Sequence, residues 1–404
     1  MGIVRNQSIK NSISFYIGMT IGAVNTVLIY PNVFNNQPEH WGLLSILVAY
    51  ATLIGAFSTF GIPKTFIRFF PAVKEKGQLY FLSLIIPLFG FLLSCFFYWL
   101  FNEELFVLLN ASQLLKDNFF YIFLLVFFIS FYDVLTSISR SYLDAVTPIL
   151  LNEVFHKLYC LLILVVHGFK VIDFTTFLQL YVVGFLLKFL VLLAIQAYKG
   201  NIYFKLSVGA LKIKEMLVYG FYVLIGGASV MLVSRLDMIM IGALLGLEHV
   251  AFYTLAFYIG SAIKVPGKSI ASISVPLLSE AWEEQDFKQI QTIYSKSSIN
   301  QLIIGGLFFL CVWINIDTIF SILPKKFSHG KWVVLCIGLA QLFNGATGVN
   351  GAIIINSKYY KYDLYTNFLL VLITLISNYL LIPKYGINGA AMATAFSVLL
   401  FNLI

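Results

Sequence analysis

Apolar residues gather in twelve runs, at 11–32, 42–62, 79–101, 118–140, 148–167, 174–197, 215–234, 250–275, 299–322, 331–355, 363–382 and 388–404. Most reach the ~20 residues that a hydrocarbon core of ~30 Å requires of a helix. The polar segments between them are short, and none has the length of an inserted soluble domain. The longest, Leu277–Ser298, has a pattern of its own. Leu278, Trp282, Phe287, Ile290 and Ile293 recur at near-helical spacing among Glu280, Glu283, Glu284 and Asp286, which predicts an amphipathic helix on the inner membrane surface. A plain solvated connector is the alternative. The twelfth run ends at Ile404 with no polar exit, so the chain is expected to be a truncated form of a longer protein.

Lysine and arginine orient these helices. With the N-terminus inside, fifteen fall in cytoplasmic segments and seven in outer ones, three of the seven in the Lys325–Lys331 loop. The positive-inside rule therefore favours a cytoplasmic N-terminus. Composition agrees: 60% of the 404 residues are hydrophobic and 11% charged, against about 25% charged in soluble domains. The net charge of +8 is explained by topology and implies no nucleic acid. The expectation is an all-α polytopic membrane protein.

The stretch Lys214–Glu284 concentrates the costly residues. Arg235 and Asp237 stand at the exit of the seventh run, and Lys264 and Lys268 flank Pro266 inside the eighth. A Lys near the bilayer centre costs about 2.5–3.5 kcal/mol on insertion scales, so it faces protein or a wet cavity. A faint repeat relates this stretch to the first half. GIPKTFIRFFPAVKEKG and IKVPGKSIASISVPLLSEAWEE each follow a helix pair and carry Pro, a basic residue and a second Pro (Pro63, Lys64, Pro71; Pro266, Lys268, Pro276). Six helices separate the copies. This implies two six-helix lobes, 1–200 and 201–404, related by an axis along the membrane normal.

The segments SRLDMIMIGALLGLEHVAFYTLAFYIGSAIKVPGKSIASISVPLLSE (Ser234–Glu280), IPKYGINGAAMATAFS (Ile382–Ser397) and WGLLSILVAYATLIGAFSTFGIPKTFIRFFP (Trp41–Pro71) carry a resemblance. They resemble the oligosaccharide and polysaccharide flippases, relatives of the O-antigen flippases. Their superfamily also holds multidrug and toxin extruders and lipid II flippases. The resemblance implies twelve to fourteen helices and a central cavity between the lobes. It implies movement of a lipid-linked oligosaccharide from cytoplasmic to outer leaflet of a bacterial inner membrane, serving O-antigen, lipopolysaccharide or related surface polysaccharide synthesis. The implied partners are that lipid, membrane lipids and other polysaccharide assembly proteins.

Six basic residues are candidates for holding an anionic pyrophosphate head: Lys188 and Lys264 near mid-membrane, Lys268, Arg140 and Arg68 toward the cytoplasmic end, and Arg235 toward the outer end. Arg would pair bidentately and Lys act as a point charge. Snorkelling to headgroups is the competing reading for the end-placed residues. For ion coupling the candidates are Asp133, Asp237 and Glu153. Asp133 shares a helix face with Arg140 and could instead be its counter-ion. Glu153 fits a local ion-pair cluster with His156 and Lys157, and Asp237 could pair with Arg235. Gly226, Gly227, Gly242, Gly260, Gly305, Gly306 and Gly389 read as close helix contacts.

No cofactor is called for beyond a possible proton or sodium gradient. The four cysteines and five histidines are scattered, without metal-ligand spacing. PGKS at 266–269 lacks the upstream glycine of a phosphate-binding loop. A membrane enzyme would need a catalytic constellation that the sequence does not display. The nearest rival is an ion-coupled multidrug exporter of the same fold, which the cationic set disfavours and Asp133 supports.

Overall fold

The computed structural model describes residues 2–73, 75–202, 212–357 and 360–403, and every regular element among them is helical. Lys74, Lys205 and Lys358, counted with the inner segments, lie outside the described residues, as do the side chains of Arg5, Lys268 and Lys361. Nine helices among the described residues are long and apolar enough to cross a membrane. The chain is a multi-pass membrane protein. It divides into two compact units: Met1–Val33 with Leu43–Met231, and Phe34–Gly42 with Leu232–Ile404.

In the first unit, α1 runs Gly2–Ala23, widens into a π turn at Val24–Ile29 and closes at Tyr30–Val33. Helix α2 (Pro38–Ser58) is followed, after a break, by α3 (Ile62–Phe69), then by α4 (Lys76–Leu108) and α5 (Phe120–Ser141). Helix α6 (Val146–Gly168) contains a second π turn at Leu151–Phe155 and precedes α7 (Phe174–Tyr198), whose N-terminus Asp173 caps by accepting from the Thr176 N–H at 3.0 Å. The α2–α3 break turns on Gly61, at φ 70°. A Cβ there would sit 2.3 Å from the carbonyl oxygen of Gly220, so glycine allows both the left-handed turn and the close approach. Phe66 packs its ring 5.3 Å from Tyr80 and 5.5 Å from Phe70, and both Phe66 and Tyr80 are fully buried beside Leu79, Leu135 and Ile138.

At the turn between α5 and α6, Asp144 receives the Lys199 ammonium at 2.7 Å and both donors of Thr147, at 3.1 and 2.8 Å. Burial alone would raise this carboxyl, but the Lys199 and Thr147 donors outweigh it and hold it below the ordinary carboxylate range.

The seventh apolar run does not stop at residue 234. Helix α8 spans Ile213–Leu244, so Arg235 and Asp237 lie inside it. The eighth run is two helices: α9 (Leu247–Ser261), a 3-10 turn at Ala262–Lys264, and α10 (Val265–Glu283). Pro266 has no N–H to bond back to Ala262, and the helix tightens there instead. The tenth run is likewise divided, into α12 (Lys331–Ala346) and α13 (Asn350–Asn356), the α11 helix before them covering Phe287–Ile314. Two further helices, α14 (Tyr360–Tyr385) and α15 (Ile387–Leu403), complete the described chain.

The amphipathic surface helix expected over Leu277–Ser298 is not formed. Gln285, at φ 56°, ends α10, and Asp286 restarts the chain as α11 by accepting from the Gln289 N–H at 2.9 Å. Leu278, Ala281 and Ile290 then face one another in a buried cluster with Val349, with Trp282 and Ile293 packed against it. The apolar spacing was that of two helices folded together. The close-contact reading of the glycines also divides. A Cβ at Gly260 would meet Ile337 at 3.0 Å and one at Gly389 the Leu381 carbonyl at 2.1 Å, but Gly226 and Gly227 have open space.

Candidate functional site

Each unit buries one ionisable group that the sequence singled out. In the first unit it is Lys188 on α7, 5% exposed. Its ammonium donates to Oδ1 of Asn152 at 2.9 Å and lies 4.5 Å from the ring centre of Phe185 and 4.9 Å from that of Tyr132. Among the described residues no carboxylate stands within ion-pair distance, and Asp133 and Glu153 act on it only through space. Asn152 and the neighbouring Glu153 both lie in the π turn of α6. Asn152 passes the contact on to Glu153 (3.2 Å), which pairs with Lys157 at 2.7 Å, which in turn donates to the Gly18 carbonyl at 3.0 Å. Asn25, in the π turn of α1, donates to the Lys157 carbonyl at 2.9 Å. Two widened turns, distant in sequence, thus join one polar chain, a frequent use of π-helical geometry. Tyr132 is fixed by donating its hydroxyl to the Pro148 carbonyl at 2.6 Å.

Asp133 and Arg140 are both exposed on α5. They are seven residues apart, and no ion pair joins them among the described residues, so the counter-ion reading of Asp133 has no direct contact behind it. Arg68 is exposed and lays its guanidinium 4.1 Å from the ring centre of Tyr219. Glu153 sits in the polar chain, bound to Lys157.

In the second unit the buried group is Asp237, 3% exposed. The expected pairing with Arg235 is not what holds it, since residues two apart on a helix point to different sides. Instead Oδ1 accepts from the Asn378 amide at 2.8 Å, and Oδ2 accepts from the Thr394 hydroxyl at 2.5 Å and from the Tyr253 hydroxyl. These donors come from α14, α15 and α9. All three are neutral, and the Oδ1 of Asn378 is itself buried without a donor. Lys264, exposed, borders a cavity of ≈ 340 Å³ inside this unit. Arg235 is half-buried on α8. Lys268 belongs to α10, with its side chain outside the described residues.

The structure therefore brings Lys188, Asp133 and Glu153 into one neighbourhood, and gives Asp237 a shell of its own. Asn152, Tyr132, Tyr253, Asn378 and Thr394 were missed. An isolated Asn within a spanning run was the available signal, since a polar side chain there normally bonds across helices.

A model of the family described as polysaccharide biosynthesis protein matches residues 6–282, more than two thirds of the chain. The chain belongs to the polysaccharide biosynthesis protein family. A second family model, MatE, matches residues 223–380. An uncharacterised membrane protein of Methanocaldococcus jannaschii is 31% identical over 194 residues, which are 46% of this chain and 37% of that protein. The match thus spans little more than a third of that relative's length. Lipid II flippase MurJ, in an inward closed conformation, superposes with a TM-score of 0.76 at 15% identity over 98% of this chain and 86% of that one. An inward-facing multidrug resistance MATE transporter gives 0.69 at 14% identity, covering 98% and 96%. A MOP superfamily transporter from Pyrococcus furiosus, described as having a binding pocket of reverse polarity, gives 0.69 at 15%, covering 99% and 94%. At these identities the likeness establishes a shared transporter fold.

Proposed function

We propose that this family member is a flippase. Its cargo is a lipid-linked oligosaccharide on a polyprenyl pyrophosphate, moved by alternating access from the cytoplasmic to the outer leaflet of the cytoplasmic membrane, with the chain's N-terminus inside. The product supplies cell-surface polysaccharide synthesis and passes to other assembly proteins. The observation that carries this reading is Lys188. A cation buried in a spanning helix, held by an amide oxygen and two ring faces instead of a carboxylate, leaves positive charge for an anionic cargo to meet. Arg68, Arg140, Arg235, Lys264 and Lys268 extend that cationic set. Asp237 is the coupling group of this scheme. Its neutral shell and the orphaned Asn378 oxygen leave room in the charge balance for a proton or a sodium ion.

The MatE match and the MATE-like fold favour a second reading, export of cationic drugs, for which the exposed Asp133 would be the carboxylate. The two part company in cells lacking the gene. The flippase reading expects lipid-linked oligosaccharide to accumulate on the cytoplasmic face, cured by wild type and not by Lys188→Met. Normal sidedness together with lost efflux of a cationic dye would replace it with the exporter.

A further inference from the structure

The cavity beside Lys264 has a lining that the anion pathway alone does not explain. It lies wholly in the second unit, where the 3-10 turn, α10, α11, α12 and the start of α13 meet. Four polar side chains border it: Lys264, Gln301, Gln341 and Asn344. Gln301 and Gln341 make no hydrogen bond to the protein among the described residues, although each amide offers two donors and an acceptor. Asn344 already accepts from Asn402 at 3.2 Å, which leaves its amide N–H groups to the cavity. Space for these side chains comes from glycine. A Cβ at Gly267 would lie 2.7 Å from Oε1 of Gln301. None of the described residues lining the cavity is acidic, and Lys264 is the one basic residue among them.

This is the chemistry of a site for a sugar with one negative charge. Side-chain amides bind vicinal hydroxyls through paired donors and acceptors, and Ile263, Leu342 and Val349 give the C–H face of a ring an apolar wall. A volume of ≈ 340 Å³ lies at the small end of ligand pockets, which span about 300–1,000 Å³, and suits part of a glycan better than a whole repeat unit. A pyrophosphate would call for several cations or a bidentate guanidinium, whereas the one ammonium among the described lining residues matches a single carboxylate.

We propose that this cavity is the subsite for an acidic sugar, a uronic acid or similar carboxylated pyranose, within the transported glycan. Gln301, Gln341 and Asn344 engage its hydroxyls and Lys264 its carboxylate. The assignment rests on the flippase reading for the cargo that carries the sugar, and narrows the part of Lys264 from pyrophosphate to glycan.

The test is saturation-transfer NMR on the full chain in nanodiscs, with methyl β-glucuronide, methyl β-glucoside and inorganic pyrophosphate as probes. Glucuronide should bind about tenfold or more tightly than glucoside, the scale of one charge-assisted bond. Lys264→Gln should erase that preference. Gln341→Leu and Gln301→Leu, each eluting as wild type, should each weaken glucuronide by about tenfold. Absent glucuronide binding, binding unchanged in all three variants, or Lys264-dependent binding of pyrophosphate alone would overturn the proposal. The assay needs no flipping. Glucuronide binding alongside normal leaflet sidedness in the deletion strain would therefore remove the flippase and leave the cavity, and the reverse pair of results would remove the cavity alone.

Discussion

Lys188 and Asp237 are each a single ionisable group sunk into a helical unit, and their surroundings differ in kind. Asp237 has both oxygens occupied by three neutral donors drawn from three helices. Lys188 has one hydrogen bond, to Asn152, and otherwise rests on the faces of Tyr132 and Phe185. An ammonium has three donors, and only one of those of Lys188 is taken by a hydrogen bond. The Asp237 shell closes when the carboxylate is present and comes apart when it is not. One arrangement holds its charge through a single hydrogen bond and two ring faces, while the other ties four helices together around one carboxylate.

The strongest way to break this comparison is Asp237→Ala. It leaves the Tyr253, Asn378 and Thr394 donors buried without an acceptor, and the cost expected is about 3–5 kcal/mol. Thermal unfolding in detergent should show a large fall in Tm. Lys188→Met should behave oppositely, near neutral or slightly stabilising in the same assay, because an apolar isostere relieves the desolvated charge. Leaflet transport should nonetheless drop at least about tenfold, one lost charge-assisted contact. If Lys188→Met unfolds as readily as Asp237→Ala, the distinction between an open and a closed shell is gone.

Smaller changes sharpen it. Thr394→Val keeps the shape and removes one donor from Asp237, with about 1–3 kcal/mol expected in denaturation. Phe185→Leu removes one ring face from Lys188 and should cost about 0.5–2 kcal/mol. A larger loss than in Thr394→Val would invert the ranking of the two shells. The smallest effect belongs to a charge at a turn, Asp144. Its carboxyl is held below the ordinary range, so its contribution is complete above the unfolded value and disappears as pH falls through the folded one. Asp144→Asn should therefore lie about 0.2–1 kcal/mol below wild type near neutral pH, and the gap should close in acid below about pH 4. A gap that widens in acid would show that Lys199 is not what depresses the carboxyl.

The apolar runs were legible because a bilayer imposes a minimum length on any helix that crosses it, and the ends of α5, α6 and α7 fall within two residues of their runs. Pro266 announced the break after α9, since a missing N–H has a local consequence. Gln285 announced nothing: its positive φ belongs to the turn across which Leu278 and Ile290 pack together. The charged candidates stood out from an apolar background, but their shells did not. Asn378 and Thr394 reach Asp237 from 141 and 157 residues away, and no local pattern encodes that meeting. The two π turns were equally silent, because a surplus residue leaves hydrophobic spacing almost unchanged.

That surplus has a consequence for how the family varies. A π turn is one residue more than an α-helical turn requires, and each residue in a helix turns the next by about 100°. A relative with one residue fewer between Leu151 and Phe155 would close this segment to an ordinary α turn, keeping His156 and Lys157 on their face but removing the widened backbone that carries Asn152. Single-residue gaps at Val24–Ile29 and Leu151–Phe155 would therefore mark relatives in which Asn25 and Asn152 lose the widened turns that carry them here.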